Sequence, residues 1–259
     1  MNRLIDLSAD VGESYGSWRM GDDAALLPTL SSANVACGYH AGDPTLMRRT
    51  VELCRDHDVA VGAHPSFPDR VGFGRRTLQM SHDELYCDVV YQVGALYGFA
   101  RAAGVPVSHV SPHGRLGNLV VTDEAYAAPV LEAVAAVDPS LAVVTYSGVL
   151  ERLARERGMR VALMAFPDRA YEEDGTLVSR EQPGSVLHDP DVIAERARRM
   201  VETGTVEAHT GAGVELDFDT LLLHGDKPGS VAAALHVRAA LEAAGVTVAP
   251  LAAVLAARS

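Results

Sequence analysis

Short apolar segments alternate with longer helical patterns along almost the whole chain. The apolar segments predict strands at residues 4–7, 33–36, 59–61, 107–110, 141–146, 160–166 and 220–223. Apolar positions spaced by three and four residues predict helices over 22–30, 43–57, 81–103, 123–137, 149–157, 189–203 and 229–244. A further apolar segment at 246–249 and a short helix close the chain. This alternation predicts a parallel sheet with helices packed outside it.

Local capping signals mark where several of these helices begin. Asp43-Pro44 and Asp189-Pro190 each place a carboxylate that can accept from free amides before a proline that needs no donor. Ser81 and Glu84 have the spacing of a capping box. These three positions therefore predict well-defined helix starts.

The positions of the polar residues decide between two parallel-sheet architectures. A doubly wound open sheet and a closed barrel both fit the order of the elements. Polar residues follow the first, second, third, fourth, sixth and seventh predicted strands, and only a closed barrel brings all of those loops to a common mouth. Since no shift in composition marks a linker, the sequence favours one α/β barrel domain over residues 1–259.

Composition and charge exclude several classes of protein. The chain has 48% hydrophobic and 22% charged residues, which is typical of a globular domain. Its net charge of -12 would repel a phosphate backbone, so we expect no nucleic-acid partner. No apolar run has the length of a membrane span, and the start of the chain lacks a secretory signal pattern, so we expect a cytoplasmic protein without membrane association.

The cysteines suggest neither a disulfide framework nor a structural zinc site. There are three, Cys37, Cys54 and Cys87, and none has CxxC or zinc-finger spacing. Cys54 and Cys87 lie on helical patterns, where we expect them in the core.

The segment from residue 59 to 76 is the most informative stretch for chemistry. It combines a buried strand with a loop made stiff by two prolines, and His64 follows the strand at once. Other carboxylates and imidazoles also fall within a few residues of predicted strand ends, and the full set is Asp10, Glu13, His40, His64, His113, His224 and Asp226. Such a set can perform general acid–base catalysis or bind a divalent metal, and the residue types alone leave both open.

Several common catalytic and nucleotide-binding motifs are missing. GDKPGS at residues 225–230 lacks the GxxxxGK[ST] arrangement, and no GxGxxG follows the first strand. Neither HExxH nor the GxSxG nucleophile elbow is present. A bound ATP would therefore need a different mode of recognition.

Long motifs in order along the chain resemble the LamB/YcsF family. They are DLSADVGESYG, SSANVACGYHAGDP, GAHPSFPDRVGFGRR, FPDRAYEEDGTLVSREQPGSVLHD and HGDKPG. The resemblance implies an irregular, roughly seven-stranded β/α barrel of the glycoside hydrolase/deacetylase type. It also implies the A component of an ATP-dependent 5-oxoprolinase, which opens the lactam of 5-oxo-L-proline to L-glutamate with partner subunits B and C.

The resemblance also suggests roles for individual residues. Asp10 and His64 are candidates for base or metal ligand, and His113 and His224 for proton carriers. Arg75 suits a phosphate or carboxylate, because its guanidinium can bind either group in bidentate fashion. Glu13 and Asp226 complete the catalytic candidates. The substrate-binding candidates are Asn34, His40, Arg75, Asp168 and Arg169, and the set for a divalent metal is Asp10, His40, His64 and His113.

The chain departs from the family pattern at Ser8, Ser111, Gly117 and Met164. Two alternatives therefore stand beside the 5-oxoprolinase interpretation: a stand-alone metal-dependent hydrolase or deacetylase, and a catalytically impaired binding or regulatory paralogue. A homo-oligomer is compatible with each of them.

Overall fold

A computed structural model describes residues 3–225 and 229–258. In chain order its strands are β1 (Arg3–Val11), β2 (Ser32–Ala36), β3 (Ala60–His64), β4 (Val107–Val110), β5 (Ala142–Thr145), β6 (Val161–Ala165), β7 (Thr205–Glu207), β8 (Gly213–Glu215), β9 (Thr220–Leu223) and β10 (Val246–Val248). The α-helices are α1 (Asp23–Leu26), α2 (Pro44–Asp56), α3 (His82–Ala103), α4 (Gly114–Thr122), α5 (Glu124–Val137), α6 (Val149–Glu156), α7 (Pro190–Thr203), α8 (Ser230–Ala243) and α9 (Leu251–Arg258), and a 3-10 helix covers Leu27–Thr29.

Parallel pairing closes the sheet into a seven-stranded barrel. The strands follow one another in the order β1, β2, β3, β4, β5, β6 and β9, and β9 pairs back onto β1. β10 adds an eighth strand beside the first residues of β1, outside the closed ring. The predicted barrel and all of its predicted strands are therefore confirmed, and every loop at the carboxyl ends opens onto one mouth.

The predicted helix starts are also confirmed. The Asp43 side chain accepts from the amides of Thr45 and Leu46, directly before Pro44. Ser81 and Glu84 form the reciprocal hydrogen bonds of a capping box at the start of α3. Among the described residues, no helix has the length and apolar character needed to cross a membrane.

β1 extends further than the sequence indicated. We expected Asp10 in a loop, but it lies within the strand, in register with Asn34 of β2. The Asn34 amide donates to Asp10 Oδ1 at 2.9 Å, which provides a partner for a carboxylate inside the barrel.

Three further differences concern elements with weak sequence signals. Residues after the fourth strand were expected to form a loop, but α4 begins there at Gly114, without a side-chain cap that would have marked its start. The short β7–β8 hairpin was not predicted either. Cys87 is exposed, because the buried face of α3 follows Leu85 and Val89, and Cys87 lies on the opposite side of that helix.

A buried carboxylate lies deeper in the barrel wall at Asp6 of β1. Asp6 Oδ1 accepts from the hydroxyls of Ser31 at 2.7 Å and Ser32 at 2.6 Å. Burial raises the pKa of Asp6 from 3.8 to about 6, although hydrogen bonds from Ser32, Thr220 and Ser31 oppose the shift. The folded protein therefore retains a proton that the unfolded chain releases near pH 4.

We expect this proton to make stability depend on pH. Because the pKa of Asp6 is raised in the folded state, its contribution to the free energy of unfolding is largest below pH 4 and falls as pH rises to about 6. The fall should approach ~3 kcal/mol at 1.36 kcal/mol per pKa unit. Asp6→Asn should remove it, as measured by urea unfolding at a series of pH values. Asp56→Asn, at an exposed position of α2, serves as control. Superimposable pH profiles for wild type and Asp6→Asn would contradict this expectation.

Candidate active site

The mouth of the barrel contains a cavity of about 780 Å³. This size suits a small-molecule ligand. The predicted site residues that line it are Asp10, Glu13, His64, Arg75, His113, Arg169 and His224. Asn34, His40 and Asp168 are buried and do not line the cavity. Asp226 lies outside the described residues.

Four of these side chains form a compact buried cluster on one side of the mouth. Glu13 follows β1, His40 lies between β2 and α2, His64 ends β3, and His113 precedes α4. Each offers one ligand atom, and these atoms lie within 4.8 Å of one another. The His40 and His113 rings stack with their centroids 3.8 Å apart. The barrel thus brings together residues that are up to 100 positions apart in the sequence.

Backbone carbonyls determine the tautomers of two of the imidazoles. His64 Nδ1 lies 2.6 Å from the Ser111 carbonyl oxygen, and His113 Nε2 lies 2.9 Å from that of Phe73. A carbonyl only accepts, so these two nitrogens carry the hydrogens. In the neutral rings, His64 Nε2 and His113 Nδ1 then present lone pairs to each other across 3.0 Å. Two lone pairs at that distance repel, so the arrangement favours a proton or a metal cation between them.

Two carboxylates face the same point. Asp10 Oδ1 lies 3.3 Å from His64 Nε2, and Glu13 Oε1 lies 3.5 Å from His113 Nδ1. Burial alone would raise the pKa of Asp10, but the neighbouring His64 and the Asn34 hydrogen bond outweigh it and hold that pKa below its usual range. Asp10 is therefore ionised at neutral pH.

Burial keeps the neighbouring imidazoles neutral. It lowers the pKa of His113 to about 3, with the charge of His64 as a further cause. Burial likewise lowers the pKa of His40 well below its usual value, and the Nδ1 atom of His40 has no hydrogen-bond partner among the described residues. Neutral imidazoles beside a carboxylate are ligands that a transition metal such as Zn²⁺ accepts. The cluster fits a metal through Glu13, His40, His64 and His113, and Asp10 of the predicted set lies beside it.

A hydrogen-bonded chain supports Asp10 from below, and it includes a residue that was not predicted. His109 of β4 donates from Nε2 to Asn34 Oδ1 at 2.9 Å, and Asn34 in turn donates to Asp10. Burial lowers the pKa of His109 to about 4, so the ring is neutral. The imidazole reaches across β3 at Gly62, where a Cβ would lie 2.0 Å from His109 Nε2. A histidine inside one strand beside a glycine in its neighbour was the sequence signal for this chain.

A second acid–base pair lies at the β6–β9 side of the cavity. His224 Nδ1 is 2.6 Å from Asp168 Oδ2, and His224 Nε2 is 2.6 Å from the guanidinium of Arg180. Since the carboxylate accepts from Nδ1, Nε2 carries the lone pair that accepts from Arg180. The pair therefore presents a basic nitrogen on the side of the cavity that lies across from His64.

The two other arginines considered above have structural partners. Arg169 lines the cavity and donates to the carbonyls of Ser185 and Val178, which ties together the long loop after β6. Arg76 forms an ion pair with the buried Asp69, with Nε 2.9 Å from Oδ1.

A closed β/α barrel with acid–base side chains gathered at its mouth has the architecture of a barrel enzyme. The chain belongs to the LamB/YcsF family, whose model matches residues 5–256. It is 49% identical to a protein named as a 5-oxoprolinase A component from Pseudomonas syringae pv. tomato, over 96% of this chain and 98% of that protein. It is 52% identical to the protein of the same name from Mycolicibacterium paratuberculosis, over 94% and 97% respectively. The crystal structure of a lactam utilization protein from Thermus thermophilus superimposes with a TM-score of 0.91 at 48% identity, covering 95% of this chain and 99% of that one.

The buried cluster generates a prediction about metal binding. After removal of bound metal with a chelator, the chain should bind Zn²⁺ in isothermal titration calorimetry. Glu13→Gln and His113→Gln should each weaken binding by at least about tenfold, because each removes a ligand. His236→Gln changes an exposed histidine of α8 and should have no effect. Equal Zn²⁺ affinity in wild type and Glu13→Gln would count against this metal site.

Proposed function

We propose that this chain is the A component of an ATP-dependent 5-oxoprolinase, which hydrolyses 5-oxo-L-proline or a related lactam to L-glutamate with partner subunits B and C. The observation that carries the proposal is about 50% identity, over nearly the full length of both chains, to proteins named as the A component of 5-oxoprolinase. The name of the Thermus thermophilus protein, which refers to lactam utilization, supports the same substrate class.

The coupling to ATP has a chemical reason. A relaxed γ-lactam is a stable amide with a poor leaving group. Transfer of the terminal phosphoryl group of ATP to the amide oxygen would give ADP and an activated, imidate-like ring carbon. Attack of water would then break the ring C–N bond, with protonation of the nitrogen, and a second water would hydrolyse the resulting acyl phosphate to glutamate and phosphate.

The side chains around the cavity support this sequence of steps. His64 is positioned to accept the proton of the attacking water, because the ionised Asp10 lies 3.3 Å from its Nε2 and stabilises the imidazolium that forms. His113 and His224 are the candidates for delivering a proton to the ring nitrogen. These assignments place the base and one acid on opposite sides of the substrate.

The phosphoryl group would need cations, since no glycine-rich nucleotide loop of a known type is present in the sequence. Arg75, Arg115 and Arg180 line the same cavity. Guanidinium groups stabilise the charge that develops during phosphoryl transfer. In this proposal the partner subunits bind most of the nucleotide, and the barrel provides the lactam site.

The metal-binding geometry favours a second candidate, a stand-alone metal-dependent hydrolase. Glu13, His40, His64 and His113 would hold the ion. A bound divalent metal supplies Lewis acidity that polarises a carbonyl group and lowers the pKa of water. Chelator-sensitive hydrolysis by the isolated chain without ATP would favour this candidate over the first.

Reconstitution with the B and C subunits of the same organism tests the first proposal. The complex should release glutamate from 5-oxoproline only when ATP is present, as measured by coupled glutamate detection. His64→Ala should lower kcat by at least about 100-fold, because a positioned base contributes that much or more. His236→Ala should retain wild-type activity, since His236 lies on the surface.

A circular dichroism spectrum of His64→Ala must match that of wild type for the comparison to count. Absence of turnover in every combination of subunits would remove the proposal.

A further inference from the structure

We propose that the start of α4, together with the Ser111 hydroxyl and Arg75, forms an oxyanion subsite that binds the carboxylate of the lactam substrate. The inference rests on the function proposed above and adds how the substrate is held. It predicts selectivity for small lactams that carry a carboxylate next to the ring nitrogen.

The Ser111 side chain is the first observation behind this subsite. Ser111 lines the cavity, although only 1% of the residue is exposed. Its Oγ has no hydrogen-bond partner among the described residues. A buried hydroxyl without a partner is unfavourable, and most such groups in proteins are satisfied. A ligand oxygen in the cavity would accept from this hydroxyl.

The amino terminus of α4 is the second observation. This nine-residue helix has no side-chain cap, because the ring of its N-cap residue, His113, bonds to the Phe73 carbonyl and faces His64. The Arg115 amide donates to the Gly74 carbonyl, whereas the Gly114 and Leu116 amides have no acceptor among the described residues. Free amides at a helix start attract anions through the helix dipole.

Cationic side chains reinforce this end of the cavity. Arg75 lines it, and its guanidinium packs over the Phe73 ring, 4.9 Å from the ring centroid. Burial is the main cause of the lowered pKa of His113, and the charge of Arg75 contributes to the same shift, so the guanidinium is close to the helix start. Arg115 also lines the cavity and lies in the first turn of α4.

The position of the subsite relative to the acid–base cluster identifies the ligand group. The N-cap residue His113 is itself part of the cluster, 3.0 Å from His64 Nε2. In 5-oxoproline the carboxylate is attached to the carbon that bears the ring nitrogen. A carboxylate anchored at the helix start therefore keeps the lactam ring beside the imidazoles. A phosphoryl group has similar oxygens, so the experiment must separate the two sources.

Calorimetric titration of the full-length isolated chain makes that separation. 5-Oxoproline, uncharged 2-pyrrolidinone and inorganic phosphate are titrated into wild type, Ser111→Ala and Arg75→Gln. 5-Oxoproline should bind wild type more tightly than 2-pyrrolidinone, and each substitution should weaken its binding by about tenfold or more, as expected for lost hydrogen bonds to a charged group. Binding of 2-pyrrolidinone should be unchanged in both variants.

Ser66→Ala is the matched control. Ser66 is also fully buried, with an Oγ that lacks a described partner, but it does not line the cavity. Ser66→Ala and Ser111→Ala should both retain wild-type melting temperatures, because each removes an unsatisfied hydroxyl. Only Ser111→Ala should lose affinity for 5-oxoproline.

Three results would overturn the subsite. They are no measurable binding of 5-oxoproline to wild type, equal loss in Ser66→Ala, or a loss in Ser111→Ala that affects phosphate alone. In the reconstituted complex, Ser111→Ala should raise KM for 5-oxoproline more than it lowers kcat. Loss of all turnover in the complex, with Ser111-dependent binding retained, would instead reject the proposed function and leave the subsite standing.

Discussion

Two backbone carbonyls determine what the imidazoles of this barrel can do. The Ser111 and Phe73 carbonyls require hydrogens on the outer nitrogens of His64 and His113, so the inner nitrogens turn their lone pairs toward each other. The ionised Asp10 adds negative charge at the same point. The local backbone, rather than the residue types alone, makes this a place that favours a cation or a shared proton.

β1 connects the stability of the barrel to its chemistry. It pairs with β2, β9 and β10, so the same strand closes the ring and holds the outer strand. Side chains alternate along it: Leu7 and Ala9 are in the apolar core, whereas Asp6, Ser8 and Asp10 bond to other polar side chains. The period of two therefore separates packing against the helices from the polar interior of the barrel.

Most of the fold could be predicted because it depends on short-range patterns. Apolar runs and capping residues located the strands and the longer helices, whose buried faces repeat regularly. α4 and the end of β1 were missed, since α4 has no capping side chain and Asp10 stays in its strand through a bond to Asn34, a partner 24 positions away. For the site, the set of histidines was found from their places after strands. His109 was not, because its role depends on a contact across two neighbouring strands.

That contact has an evolutionary consequence. The His109 imidazole passes where a Cβ on Gly62 would lie, and it orients Asn34 toward Asp10. A single change at Gly62 would displace the ring, and a single change at His109 would leave Asn34 Oδ1 without its donor and a gap beside the glycine. Neither position can drift alone without cost, so the two should covary among relatives, and a lineage that replaces Gly62 must first pass through an intermediate with a weakened Asp10.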